Sequence, residues 1–318
     1  MGAESLGSRA IIGKFFNRLE AYVGTTWLDL VSMYFESDQA SETYNWLGMV
    51  PAMREWIGGR QAKGFRENGI TIFNKKFEAT LEILCDWIRR DKTGQINIRI
   101  DELVVRCVEH WTKLLSTLIA NGTGSTSGLC YDGQYFFDSD HSEGDSGTQL
   151  NLLAAAQVAA LDVTAPTKPT PSEAVAAILG VIAYMLKYKD DQGEPINANA
   201  KEFLVMTSPN LWPYLTPAVM AEAITGGETN VILTLKKTDF IVRLACNPRL
   251  TYTTQFVTFR TDAPAKSLIR QEEEKMSVDS QAEGSHEEFT NDRHLYGVKA
   301  IRNVGYGMWQ YASHSTLS

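Results

Sequence analysis

Ser146 stands in the string Gly144-Asp145-Ser146-Gly147, the first place in this sequence to look for a nucleophile. A serine between glycines can expose its hydroxyl beside backbone amides that bind a developing oxyanion. That chemistry also needs a base against the hydroxyl and a third group to orient the base. His141 lies in the same polar loop, His110 falls inside a helical pattern, and Thr148-Gln149 follow the string without a further glycine or proline. A serine hydrolase using the Ser146 loop is therefore kept only as an alternative. The loop's acids, Asp132, Asp138, Asp140, Glu143 and Asp145, could offer oxygens to a hard cation, but EF-hand spacing is missing and Asx-turns account for them. Cys85, Cys107, Cys130 and Cys246 form no C-x-x-C pair, and neither they nor His286, His294 and His314 fall at metal-ligand spacing. P-loop, dinucleotide-binding and H-E-x-x-H strings are likewise missing. No catalytic, cofactor-binding or metal residue is assigned, and the chain reads as a non-enzyme.

The elements that carry this loop are visible in the apolar spacing. Residues 11–23 step by three and four, as a helix does, and 27–35 resume a similar pattern after Gly24. The clearest helix spans 101–120, with Asp101 as N-cap and Asn121-Gly122 as its stop. Residues 151–161 read as a short Ala/Leu helix. A Pro/Thr linker over 164–171 leads into the capping box Thr170-Pro171-Ser172-Glu173, which opens a helix to about residue 188. Strand-like runs follow at 203–206, 231–235, 240–245 and 255–260, with short helices started by Pro209 and Pro217. Two β-rich runs, 293–302 and 304–312, close the chain, where Gly305-Tyr306-Gly307 marks a bend or bulge. Helices and strands grouped in this uneven way argue an α+β fold.

The chain has 318 residues and a formal charge of −8, enough for one large or two ordinary domains at roughly 100–200 residues each. An apolar share of 44% supports a real core and excludes disorder over most of the length. The acidic balance argues against a general nucleic-acid binder. The longest uncharged apolar run, 174–186, is well short of the ~20 residues of a spanning helix. Sparse, unpaired cysteines suit reduced thiols in a soluble protein. Charge is unevenly placed. Residues 51–80 are basic, Gly-punctuated and carry exposed-type aromatics, while 271–290 holds seven acids against one lysine. Long loops of the first kind serve interfaces better than cores, and opposite patches on one chain suit head-to-tail contact between copies.

Longer motifs add a resemblance. Residues 46–60 (WLGMVPAMREWIGGR), 72–82 (IFNKKFEATLE), 120–123 (ANGT) and 131–138 (YDGQYFFD) with Asp140-His141 are similar to the Mu-like prophage major head subunit (gpT) family. So are 295–302 (LYGVKAIR) and 305–310 (GYGMWQ). The similarity is close over about 44–141, moderate over 290–312 and weaker elsewhere. It implies a tailed-phage major capsid protein of the Hong Kong 97 fold type that self-assembles into hexamers and pentamers of an icosahedral head. On that pattern 1–43 is the N-terminal arm and 44–83 the E-loop region. Residues 84–160 and 256–318 form the peripheral domain, with the 101–120 spine helix, and 161–255 the axial domain.

The resemblance also implies partners and contacts. The shell encloses double-stranded DNA without sequence-specific binding, in a virion assembled in the host bacterial cytoplasm, and involves no membrane and no cofactor. A separate scaffolding protein is expected, because no long segment precedes the arm; a portal and a decoration protein are further partners of such heads. Net negative charge would keep the wall from adsorbing packaged DNA. E-loop residues Arg54, Trp56, Ile57, Arg60, Lys63 and Arg66 are expected to lie across a neighbouring subunit. They would face its acidic counter-patch of Glu272, Glu273, Glu274, Glu283, Glu287 and Glu288. No cross-link motif is matched. A non-viral compartment shell of the same fold is the other alternative.

Overall fold

The acidic run at 271–290 is mostly strand and not a loop. In a computed structural model, which describes residues 8–21, 27–45, 69–91 and 94–318, it joins a long hairpin. The described chain begins with α1 (Ser8–Ala21), α2 (Leu28–Val31), β1 (Ser32–Glu36) and β2 (Ser41–Tyr44). It continues with β3 (Ile70–Phe73), β4 (Lys75–Leu84), α3 (Cys85–Arg90), α4 (Gln95–Val108) and α5 (His110–Ala120). A small hairpin, β5 (His141–Ser142) and β6 (Thr148–Gln149), precedes β7 (Leu152–Leu153). Then come α6 (Pro171–Met185), β8 (Glu202–Thr207), α7 (Trp212–Met220), α8 (Val231–Leu235), β9 (Ile241–Cys246) and β10 (Gln255–Arg260). The last elements are β11 (Leu268–Gln281), α9 (His286–Asn291), β12 (Arg293–Tyr306) and β13 (Ala312–Thr316).

Two sheets organise these elements. One has the order β1-β11-β12-β4, with β1 parallel to β11 and the other pairs antiparallel. Burial along β12 alternates, so His294, Tyr296, Val298, Ala300 and Arg302 all face inward, as a period of two requires. The second sheet has the order β7-β13-β10-β8-β9. It draws β7, β13 and all of β10 but Gln255 from outside 161–255, so the two expected domains interleave through a shared sheet. Helix α1 lies on its own chain. Ile11 and Phe15 are buried in a cluster with Ile96, Ile100, Val104, Tyr296 and Val298, and Arg18 meets Asp101 at 3.1 Å.

Several elements differ from the sequence expectation. The spine begins at Gln95, where the Asp91 carboxylate accepts from the amides of Gln95 and Ile96; Asp101 is mid-helix. The helix is interrupted at Glu109, where ψ is −4°; Ile96, Ile100 and Val104 serve the α1 cluster while Leu115, Leu118 and Ile119 enter the main core. The expected strand at 231–235 is helix α8, because the buried Asn230 side chain accepts from the Ile232 amide and donates to the carbonyls of Ala218 and Ala221. That capping overrides the β preference of the Val-Ile-Leu run. Residues 151–161 are no helix: Leu152–Leu153 pairs with β13, and Ala159–Leu161 is a single 3₁₀ turn. The two Pro-started helices are one, α7, with Pro217 inside it. Residues 27–35 split into α2 and β1. The Thr170–Glu173 capping box is formed in full, and hydrogen bonds from Thr164 and then Thr170 hold the Glu173 carboxyl down at about 2.

Two histidines give this fold an acid-side dependence. His314 is buried in β13 between the rings of Phe137 and Tyr252, each 5.4 Å away, and burial lowers it to about 4. His110, against Phe77 at 4.4 Å, is lowered to about 4 by burial and then by Arg302 and Lys113. Both rings take up protons in the unfolded chain, near pH 6.5, before they do so in the folded one. Their contribution is therefore complete above about pH 6.5 and is lost as pH falls toward about 4. Urea midpoints should drop between about pH 7 and about pH 4.5, and His314→Phe should flatten part of that drop. An unchanged slope in the variant would contradict the assignment.

Candidate functional site

The Ser146 loop is a structural knot. The Ser146 hydroxyl donates to the Gly147 carbonyl at 2.9 Å and accepts from the Glu143 amide at 3.0 Å. His141 is engaged elsewhere, with Nδ1 2.6 Å from Asp132 Oδ2 and Nε2 3.2 Å from Asn151 Oδ1. Its ring stacks on Trp309 at 4.0 Å and an interplanar angle of 6°. Asn151 Nδ2 donates to the carbonyls of Phe136 and Trp309, which fixes the amide orientation. Base and hydroxyl are thus committed to different partners. Gly144 is required by geometry: its φ is +55°, and a Cβ there would lie 2.3 Å from the Asp191 carbonyl oxygen. The loop's acids are engaged in turns, with Asp138 accepting from the amides of Tyr135 and Ser139 and Asp132 from that of Gln134.

The interface expectation fares unevenly. Arg54, Trp56, Ile57, Arg60, Lys63 and Arg66 lie outside the described residues. The base of their segment is described, and it is a clamped pair of strands. β2 and β3 run antiparallel from Ser41↔Phe73 to Tyr44↔Ile70. Tyr44 Oη donates to Gln271 Oε1 at 2.8 Å, Gln271 Nε2 donates to Asn74 Oδ1 at 2.8 Å, and Asn303 Nδ2 donates to the Phe73 carbonyl at 2.7 Å. Whatever the connecting residues reach, they start from a fixed footing on β11 and β12.

Ion pairs within the chain hold Glu272, Glu274, Glu287 and Glu288. Glu272 is buried, accepts from Tyr34 Oη at 2.5 Å and faces Arg302 at 3.6 Å. Glu274 pairs with Lys299 at 2.5 Å, and the hydrogen bond from that lysine lowers its carboxyl. Glu287 pairs with Arg293 at 2.8 Å, and Glu288 with His294 at 3.2 Å. Glu273 and Glu283 stay exposed. The charge count of the segment was legible in the sequence, but the pairing was not, because it depends on the β11–β12 register and its bulges between Glu272 and Ser277. Sequence spacing also missed one cluster: Cys85, Glu288 and His294 meet where β4, α9 and β12 converge.

A two-part spine, a clamped hairpin base, an arm helix and two sheets are the elements of the Hong Kong 97 type of capsid fold. The JBD30 phage procapsid subunit is similar over 98% of this chain and 75% of its own, with a TM-score of 0.55 and 25% identity. The chain belongs to the Mu-like prophage major head subunit gpT family, whose profile matches residues 10–170 and 243–318. That family is one of structural head subunits and not of enzymes. The FluMu major head subunit of a Haemophilus influenzae Mu-like prophage is 37% identical over 128 residues, 40% of this chain and 41% of the relative. The major capsid protein of Escherichia phage Mu is 33% identical over 111 residues, 35% of each chain. The matched stretch thus spans about two fifths or less of these relatives' lengths.

Proposed function

We propose that this chain is the building block of a phage head, assembling into hexamers and pentamers of an icosahedral shell around double-stranded DNA. The carrying observation is the family match, which runs from the arm helix through the spine and resumes over β9 to the C-terminus. A separate scaffolding protein and a portal belong to the same proposal, as does assembly in the bacterial cytoplasm. Within the subunit, 161–255 would face the capsomer centre and the E-loop region, 44–83, would reach a neighbour. Electron microscopy of the purified chain, alone and with a co-expressed scaffold, should show closed shells or capsomer rings. A monodisperse monomer under both conditions would sink the proposal.

In the E-loop contact Arg54, Arg60, Lys63 and Arg66 would meet the acidic patch Glu272, Glu273, Glu274, Glu283, Glu287 and Glu288 of a neighbour, where Glu273 and Glu283 are the most exposed, and Trp56 with Ile57 would supply apolar anchors. Each rim pair contributes only ~0.2–1 kcal/mol, so the effect accumulates through repetition around the shell. Arg60→Glu/Arg66→Glu should lower shell yield most strongly at low ionic strength, where screening is weakest. Equal shell yield at low and high salt would refute the contact.

A further inference from the structure

We propose that Cys85, Glu288 and His294 form a binding site for a borderline divalent cation of the zinc class. Cys85 opens α3, Glu288 lies in α9 and His294 is the second residue of β12. Pairing of β12 with β4 sets His294 beside Ile83, and the Cys85 amide donates to the Asp292 carbonyl at 3.0 Å, which draws α9 onto the same corner. One ligand atom from each residue lies within 4.8 Å of the other two. Metal–ligand bonds of about 2.0–2.3 Å put two ligands of one tetrahedral ion roughly 3.3–3.7 Å apart, so small side-chain rotations close the site.

Each residue is held as a ligand needs to be held. Glu288 Oε2 accepts from the Gly284 amide at 2.6 Å, leaving Oε1 facing His294 Nε2 at 3.2 Å. Ser285 caps α9 by accepting from the Glu288 amide. Outer contacts of this kind orient metal-binding carboxylates. The His294 ring is 4% exposed, and Nδ1 has no hydrogen-bond partner. Cys85 is buried too, and burial followed by a hydrogen bond to Asp292 raises its thiol, with Glu288 adding to the effect. A divalent ion reverses that balance: the thiol proton is released, and thiolate plus carboxylate neutralise the metal's charge. A thiolate, an imidazole and a carboxylate select zinc-like ions over calcium or magnesium. Asp292, bonded to the thiol and 3.9 Å from Arg89, supplies the outer contact. The bound ion would tie α9, where Phe289 is 92% exposed, to the start of α3.

The test uses the untagged full chain, Zn²⁺ with a chromogenic chelator in competition, and Co²⁺ as a spectroscopic substitute. One ion per chain and a Co²⁺–thiolate charge-transfer band are expected. Cys85→Ser should abolish the band, and Asp292→Asn should weaken Zn²⁺ binding about 10–100-fold, while Cys246→Ser should change neither. Far-UV circular dichroism checks folding, and His294→Gln replaces any variant that fails it. No band from the folded wild-type chain, or undiminished Zn²⁺ affinity in Cys85→Ser or His294→Gln, overturns the proposal.

Discussion

Arg302→Met is expected to destabilise the chain by about 3–5 kcal/mol, read from urea unfolding of the unassembled protein. Arg302 and Glu272 are only 5 and 10% exposed, and their nearest charged atoms are 3.6 Å apart. The guanidinium also lies 4.7 Å from the Trp111 ring centroid and donates to the Cys107 carbonyl at 3.4 Å. It therefore fastens the spine to the middle of the first sheet. Burial pushes the guanidinium down, and Glu272 works against that push. Methionine keeps much of the packing but leaves the Glu272 carboxylate in the interior, with the Tyr34 hydroxyl still donating to it. An uncompensated buried charge is the costly outcome, whereas removing both charges is often close to neutral. Glu272→Gln/Arg302→Met should accordingly recover most of the loss. A double variant as unstable as the single one would show that the arginine acts through packing and not through charge.

Glu272 illustrates how far the sequence could be read. Its charge, and its place in an acidic run, were plain, and they pointed to a surface patch. Its burial depends on β11 pairing with β1 on one side and β12 on the other, contacts with partners far away in the chain. Local signals fared better wherever the determinant was itself local. The Thr170–Glu173 box, the strands at β8, β9 and β10, and the apolar stripe of α5 all formed where their residues implied. Propensity failed where a buried side chain overruled it, as Asn230 does for α8 and as the β7–β13 pairing does for the Ala-rich stretch after Asn151. The interruption at Glu109 was not legible because the apolar steps run through it, although the residues on its two sides serve two separate cores. The Cys85–Glu288–His294 cluster could not be found by spacing, since about 200 residues separate its first ligand from its last. Family motifs carried what local chemistry could not, because strings such as 131–138 are long and ordered along the chain.

Trp309→Ala should cost a further large amount, about 3–5 kcal/mol for a fully buried indole. It should also unlock the 131–151 loop. Trp309 is 0% exposed, stacks on His141, and meets Tyr188 edge-on at 5.7 Å. Its carbonyl accepts from Asn151, whose Oδ1 accepts from the Asp138 amide and faces His141. One side chain thus backs a network joining the loop to the C-terminal strand, and truncation removes the plate on which His141 rests. If the plate matters, His141→Gln should be less harmful in Trp309→Ala than in the wild type. The coupling expected for a close ring pair is about 0.5–1.5 kcal/mol. Loop opening would expose Tyr131 and Phe136, both buried in the native chain, so limited proteolysis should cut between 131 and 151 before the core unfolds. Trp309→Phe, which keeps a ring but a smaller one, should fall between the two. Strictly additive effects of Trp309→Ala and His141→Gln, with the loop still protease-resistant, would mean that the stack is incidental and that Asp132 and Asn151 alone hold His141 in place.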